Sequence, residues 1–420
     1  MLGGNECSIS ITSGNPQRGS LNCKLPSLSL PPRLRGGRRQ SDRQSLRFEY
    51  LCLLMNVLYR IPYPYFFSQH DSVGGHIAHS RGVVGGLVED GHSVTVLAHE
   101  GREMFESIGA RFVRVEGNGS GMLWRQLWLW RFFRRSGELL NQSRFGFSYT
   151  RYSASATPHL WRALHRETVP NVIEINTLGA QRLGLLKRID TRIIQLASVP
   201  VVISGELKKW VRENIGPAVA SRVRVVANGV GSERFRPLRE TISDGPFRLA
   251  FAGLLKPRYG LECVIDAAKA LSDEEVSFHI FGAGPAKPEL ENLSEDVDNF
   301  VLEGEVPFDD VPDRLSEMDG VLYTTSSHYA YQSPTKLFEY MAVGRPIVAA
   351  RTPQTEDILR EGKLGRLFEV ESAESLVNAV LDVKNNYDAA VNRAQKAQRV
   401  ARENHSWTSR VRRIIHEVAD

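Results

Sequence analysis

The chain reads as an α/β protein of two doubly wound, parallel-sheet domains that face each other across a cleft. Three observations predict this. Short β-rich runs alternate with helical stretches from Met55 onward, the pattern of successive βαβ units. The same rhythm restarts after Pro237, beyond a polar stretch at Leu238–Gly245 that reads as a linker. Finally, 420 residues, 42% of them hydrophobic, are enough for two domains of ordinary size, each with its own core.

The first series of strands is expected at Asn56–Arg60, Val94–Leu97, Arg111–Val115, Asn171–Ile175, Val199–Ile203 and Val223–Val226. The second is expected at Arg248–Ala252, Ser277–Phe281, Asn299–Leu302, Val321–Thr324 and Ile347–Ala350. The domains then run over residues 55–237 and 238–400, followed by a closing segment at 401–420. In doubly wound sheets ligands sit at the carboxyl ends of the strands, so function is expected in the cleft.

Residues 1–54 carry eight Lys/Arg and three Asp/Glu, and so hold the whole net charge of +5. They are rich in Ser, Pro, Arg and Gly, lack periodicity and read as a disordered leader, or as an extension preceding a start at Met55. The neutral body offers no footprint for nucleic acid. The apolar stretch Tyr50–Phe67 is interrupted by Asn56, Arg60, Pro62 and Pro64, too often to span a bilayer. Cysteines at 7, 23, 52 and 263 have neither disulfide-framework nor metal-ligand spacing, which fits a reducing cytoplasm.

The most informative segment is Ser333–Ala350. Ser333 and Pro334 suit a helix start, Gly344 and Pro346 end the helix, and Ile347–Ala350 reads as a buried strand. A helix N-terminus at a cleft is an anion site, and Glu339 shares a face with Lys336 about one turn away. Gly74 and Gly75 open an early helix, where backbone N–H groups can approach a phosphate or sugar; a plain flexible turn is the other reading. Phe281-Gly282-Ala283-Gly284-Pro285 ends a strand in the same manner. Lys287 stands at the third glycine position there, so a dinucleotide fingerprint is not met.

In Phe251–Leu271 a strand, Gly253 and a basic loop precede a helix. Lys256 and Arg258 in that loop are placed to neutralise a diphosphate, or are merely solvated. Asn228-Gly229 reads as a tight turn. Asp296-Val297-Asp298 is rejected as a metal clamp, and the His76/His79 pair lacks a third ligand, so no metal is expected. Trp124–Arg135 packs five aromatics and four arginines into twelve residues. It suits a helix lying on an anionic membrane surface, or an amphipathic helix packed on its own domain.

Together these segments resemble the retaining GT-B glycosyltransferases of the family-4 group (glycosyl transferases group 1), from Met55 to the C-terminus. The motifs are the early Gly-Gly, NVIEINTL at 171–178, VVISGELKKW at 201–210, VRVVANGVGSERFRP at 223–237, FAGLLKPRYG at 251–260, FHIFGAGP at 278–285 and SPTKLFEYMAVGRPIVA at 333–349. The resemblance implies two Rossmann-like domains and a C-terminal helix around Trp407 that crosses back to the first. It also implies that Glu339, the last residue of a Glu-x7-Glu motif, accepts from the ribose hydroxyls of a nucleotide-sugar donor. Backbone N–H groups of Lys336 and Leu337 would meet the diphosphate, and that of Thr335 the sugar. The chain departs from the family at Tyr331, which replaces the first Glu of the motif, and at Leu254 and Tyr259, which replace phosphate-binding cations. Lys256 or Arg258 would compensate. Asn176 stands where many relatives carry a histidine near the donor sugar.

The expectation is therefore a cytoplasmic, metal-independent transferase, with no cofactor, that moves a sugar from a nucleotide-sugar donor to a glycan or lipid-linked acceptor with retention of configuration. The commonest setting of such proteins is surface polysaccharide or lipopolysaccharide biosynthesis. The alternatives are a nucleotide-sugar epimerase of the same fold, which needs acid/base groups around the sugar, and a non-catalytic nucleotide-sugar-binding partner of another transferase.

Overall fold

The computed structural model describes residues 54–64, 75–117, 119–178, 184–240, 242, 244–327 and 334–419. Tyr50–Asp420 forms one compact unit holding two sheets. The first comprises β1 (Asn56–Arg60), β2 (Ser93–Ala98), β3 (Arg111–Arg114), β4 (Phe147–Arg151), β5 (Asn171–Ile175), β6 (Val199–Val202) and β7 (Arg224–Val225), in the order β3-β2-β1-β4-β5-β6-β7. The second comprises β8 (Phe247–Ala252), β9 (Val276–Phe281), β10 (Phe300–Gly304), β11 (Gly320–Tyr323), β12 (Ile347–Ala350) and β13 (Arg366–Phe368), in the order β10-β9-β8-β11-β12-β13. Every pairing is parallel, as expected. The strand order reverses between β1 and β4 and again between β8 and β11, which marks the carboxyl ends of those strands as the crevices.

Apolar side chains pack on both faces of each sheet, which is why the strands read as short continuous runs. Two strands escaped the sequence reading. β4, with the sequence FSYTR, has no apolar run because its polar groups serve neighbours inside the core. The fully buried Arg60 on β1 donates to Thr150 Oγ1 at 2.7 Å and to Ser148 Oγ at 3.0 Å, and it pairs with Glu167. β13 is only three residues long, too short for periodicity to register.

Four helices matter for the cleft. Helix α1 (Gly75–Glu89) and helix α2 (Gly121–Gln142) flank the first sheet, and α3 (Thr335–Val343) packs beneath the second. The last helix, α4 (Trp407–Ala419), buries Trp407, Val411, Ile414 and Ile415 in the core of the first sheet. A β-bridge between Val230 and Ser406 anchors its start. Gly82 of α1 lies against the Trp407 indole so closely that a Cβ there would overlap the ring.

Helix α2 buries Trp128, Leu129, Phe132 and Phe133 in its own domain. Met122 (79% exposed), Leu123 (88%), Leu127 and Trp130 face outward. The helix is thus packed on its own domain and also carries a solvent-facing apolar strip. Among the described residues, no helix is long and apolar enough to cross a membrane.

Candidate functional site

The cleft is built around the start of α3. Pro334 occupies the cap position and the helix begins at Thr335; Gly344, at φ 75°, ends it with its N–H on Tyr340 O. Ser333, expected to cap it, lies outside the described residues, as do Tyr331 and Gly74. Leu337 N–H donates to Pro334 O at 3.0 Å within the first turn of the helix. The N–H groups of Thr335 and Lys336 lie in the same open first turn.

Thr335 and Glu339 line the cleft together with Arg234, Gly82, Gly229 and Trp407, so helices and loops of both sheet domains, with α4, meet there. Burial raises the Glu339 carboxyl above its ordinary range, although Arg234 and Lys336 pull it down. The Arg234 guanidinium is itself buried, 3.7 Å over the Phe308 ring, and donates to Phe308 O at 2.6 Å. Sequence reasoning passed over Arg234; its burial comes from contacts with a loop 74 residues distant in sequence, for which the sequence carries no local signal.

The Lys336 ammonium is carried to the carboxyl end of β8. It lies 4.0 Å from the centroid of Tyr259 and 5.2 Å from that of Phe251. A Cβ at Gly253 would overlap it, so this glycine makes room for Lys336. Tyr259, read from sequence as a lost cation, is thus the ring on which a different cation rests. Lys256 is partly buried at the head of the same loop, in the turn Pro257–Tyr259 that carries Arg258; the Arg258 side chain lies outside what is described.

Gly282 and Gly284 also join two loops of the second sheet. At φ 145° and 154°, they hold the β9 loop against the β8 loop, where Gly253 N donates to Phe281 O at 2.9 Å and Leu255 N to Ala283 O at 2.8 Å. A Cβ at Gly282 would run into the Gly253 carbonyl. At both positions the space a Cβ would fill is taken by neighbouring backbone.

On the opposite wall, β4 and β5 end in a buried polar cluster. Glu174 is fully buried and accepts from Tyr149 Oη at 2.5 Å and from Arg410 of α4 at 2.7 Å. Its other oxygen pairs with His79 of α1. Desolvation alone would raise this carboxyl, but the His79 contact, Arg410 and Arg151 outweigh it and hold it well below the usual range. His79 is pushed down by its burial. Asn176, its amide oriented to satisfy both neighbours, donates to Glu174 at 3.0 Å and accepts from Arg151 at 2.9 Å. It is therefore held within the cluster at the edge of the cleft. Gly75 opens α1, as expected, and Arg151 donates to the carbonyl of the next residue, His76, at 3.0 Å.

Among the described residues no cluster of three or more His, Cys, Asp or Glu is arranged to hold a metal ion. Asp296 and Asp298 lie exposed ahead of β10.

This architecture is that of the GT-B glycosyltransferases. A profile of Glycosyltransferase Family 4 matches residues 73–234, and one of Glycosyl transferases group 1 matches residues 246–386. Each sheet domain thus matches a glycosyltransferase family. Among solved structures, the chain superposes on Anabaena HepE in complex with UDP with a TM-score of 0.68 at 15% identity, covering 87% of this chain and 100% of that one. Sucrose-phosphate synthase from Thermosynechococcus elongatus gives 0.67 at 15% identity, covering 86% and 97%. An uncharacterized glycosyltransferase of Methanocaldococcus jannaschii is 22% identical over 220 residues, 51% of this chain and 59% of that protein. The sulfoquinovosyl transferase of Arabidopsis thaliana is 27% identical over 213 residues, 48% and 41%. The chain spans about half the length of these curated relatives.

Proposed function

We propose that the protein transfers a sugar from a nucleotide-sugar donor to a glycan or lipid-linked acceptor, with retention of anomeric configuration and without a metal ion. The observation that carries the reading is the meeting of three groups at one end of the second sheet: the open first turn of α3, the Glu339 carboxylate one turn further on, and the Lys336 ammonium at the end of β8. A carboxylate accepts from vicinal ribose hydroxyls, while a helix N-terminus and an ammonium neutralise a diphosphate. That HepE was solved with UDP supports a nucleotide ligand for a cleft of this fold.

In this reading the sugar–phosphate bond breaks as the diphosphate departs onto Lys336, Lys256 and the N–H groups of Thr335 and Lys336. The charge that develops is met by groups already in place. The leaving phosphate takes the proton of the acceptor hydroxyl as the new glycosidic bond forms on the same face of the sugar. Helix α2 supplies a contact for lipid-linked acceptors: its outward Met122, Leu123, Leu127 and Trp130 sit in an anionic bilayer interface, with Arg134 stacked 5.3 Å over Trp130.

Following donor consumption with and without a mixture of candidate acceptors, and reading the product anomer by NMR, tests the proposal. Consumption only with acceptor and an unchanged anomer are expected. Conversion of the donor without acceptor would instead make the protein an epimerase.

A further inference from the structure

The cleft contains a continuous chain of polar contacts running from the second sheet domain, through the inter-sheet segment, into the core of the first. Thr335 Oγ1, at the first position of α3, accepts from Asn228 Nδ2 at 3.0 Å. Asn228 Oδ1 lies 2.9 Å from His79 Nδ1, and His79 Nε2 pairs with Glu174. Glu174 is in turn fixed by Tyr149 and by Arg410. Every side chain from Asn228 to Arg410 is less than a tenth exposed. The ring of His79 is also clamped edge-on by Trp407, at 5.2 Å between centroids.

This arrangement exceeds what stability asks of it. A buried Glu–Arg pair with a buried histidine contributes little net stability compared with apolar side chains of the same volume. Its geometry, however, determines where Asn228 points, and it is Asn228 that reaches across to α3. A side-chain hydrogen bond at the first residue of that helix fixes the helix end whose N–H groups face the cleft. No turn forms at Asn228-Gly229, contrary to the sequence expectation; the segment is instead anchored by the Val230–Ser406 bridge, with Val230 N donating to His405 O at 2.8 Å and Trp407 N to Val230 O at 3.2 Å.

We propose that His79 and Asn228 are positioning residues: held by Glu174 and Arg410, they tie the hydroxyl of Thr335 to the first sheet domain and so set the α3 N-terminus in its working orientation when the two domains meet around the donor. The inference rests on the reading of the cleft as a nucleotide-sugar site. The link supplies no proton and touches no substrate atom. Its effect falls on the alignment of the departing diphosphate with the acceptor, and therefore on turnover more than on donor affinity.

A double-mutant cycle on the full chain tests this. Asn228→Ala, Thr335→Val and the double variant are compared with the unaltered protein by turnover, by donor KM, and by hydrogen–deuterium exchange of the backbone over residues 334–340. Each single change is expected to lower kcat roughly tenfold with KM changed less than about threefold. The double variant should be no worse than either single one, Thr335→Ser should restore activity, and exchange at the start of α3 should quicken in all but the Ser variant. Losses that multiply in the double variant, or a Ser variant as slow as the Val variant, would overturn the proposal. Should the unaltered protein act on no nucleotide sugar, the reading of the site fails. The exchange measurement then still decides the link, because α3 amides that exchange equally fast in Asn228→Ala refute it.

Discussion

At the residue scale, the half-buried Glu339 and the fully buried Glu174 are two carboxylates pushed in opposite directions by their surroundings. The Glu339 carboxyl is raised by burial, so its ionised, hydroxyl-accepting form is lost on acidification at a higher pH than for an ordinary glutamate. Donor affinity is expected to fall as pH drops through a midpoint above 4.5, and Glu339→Gln should abolish that pH limb while weakening binding about tenfold. Affinity measured against pH in both proteins checks this. Glu174 has its pKa depressed in the folded state, so its stabilisation is fully present above the unfolded value of 4.5 and disappears as pH falls through the folded value. Arg410→Ala removes the arginine paired with Glu174 in a site closed to water, and should cost about 3–5 kcal/mol in denaturant unfolding near neutral pH. Glu339 was legible in the sequence because its spacing from Lys336 and the flanking capping signals are local. Arg234, Arg410 and the role of Asn228 were not: each acquires its meaning from a partner more than 70 residues distant.

At the scale of elements, the strands showed themselves wherever burial is apolar and failed to do so where it is polar. Asn171–Ile175 was legible to the residue although it carries Glu174, because three β-branched residues, Val172, Ile173 and Ile175, surround one charge. Phe147–Arg151 was invisible because Ser148, Tyr149 and Thr150 are matched to charges on β1 and β5 that only the folded sheet brings alongside. The loop after β9 teaches a related lesson. Its glycines, read from sequence as a ligand approach, also form a backbone-to-backbone joint that the sequence did not announce. Gly282→Ala should therefore destabilise the second domain by roughly 2 kcal/mol, since the strained φ cannot be relieved by moving a side chain; chemical denaturation measures it. For α2, flotation with vesicles containing anionic lipid should carry the protein upward, and Leu123→Glu with Trp130→Glu should abolish this without altering the fold by circular dichroism. Equal flotation of the variant would remove the helix from any role at a bilayer.

At the scale of the whole molecule, the two sheets, their parallel order and the cleft between their carboxyl ends followed from the alternation of strand and helix alone. What the alternation does not carry is how the halves are tied together. That task falls to α4, which leaves the second domain, buries Trp407 against Gly82, and brings Arg410 to Glu174 beneath the cleft. The same helix thus completes the core of one domain and underlies the candidate site shared by both. The central claim is that this cleft holds a nucleotide sugar through α3. Isothermal titration of the full chain and of Glu339→Ala with UDP and a panel of UDP- and GDP-sugars tests it most directly. At least one ligand should bind with one-to-one stoichiometry and lose tenfold or more in affinity in the variant; binding of none, or equal binding by both proteins, would contradict it.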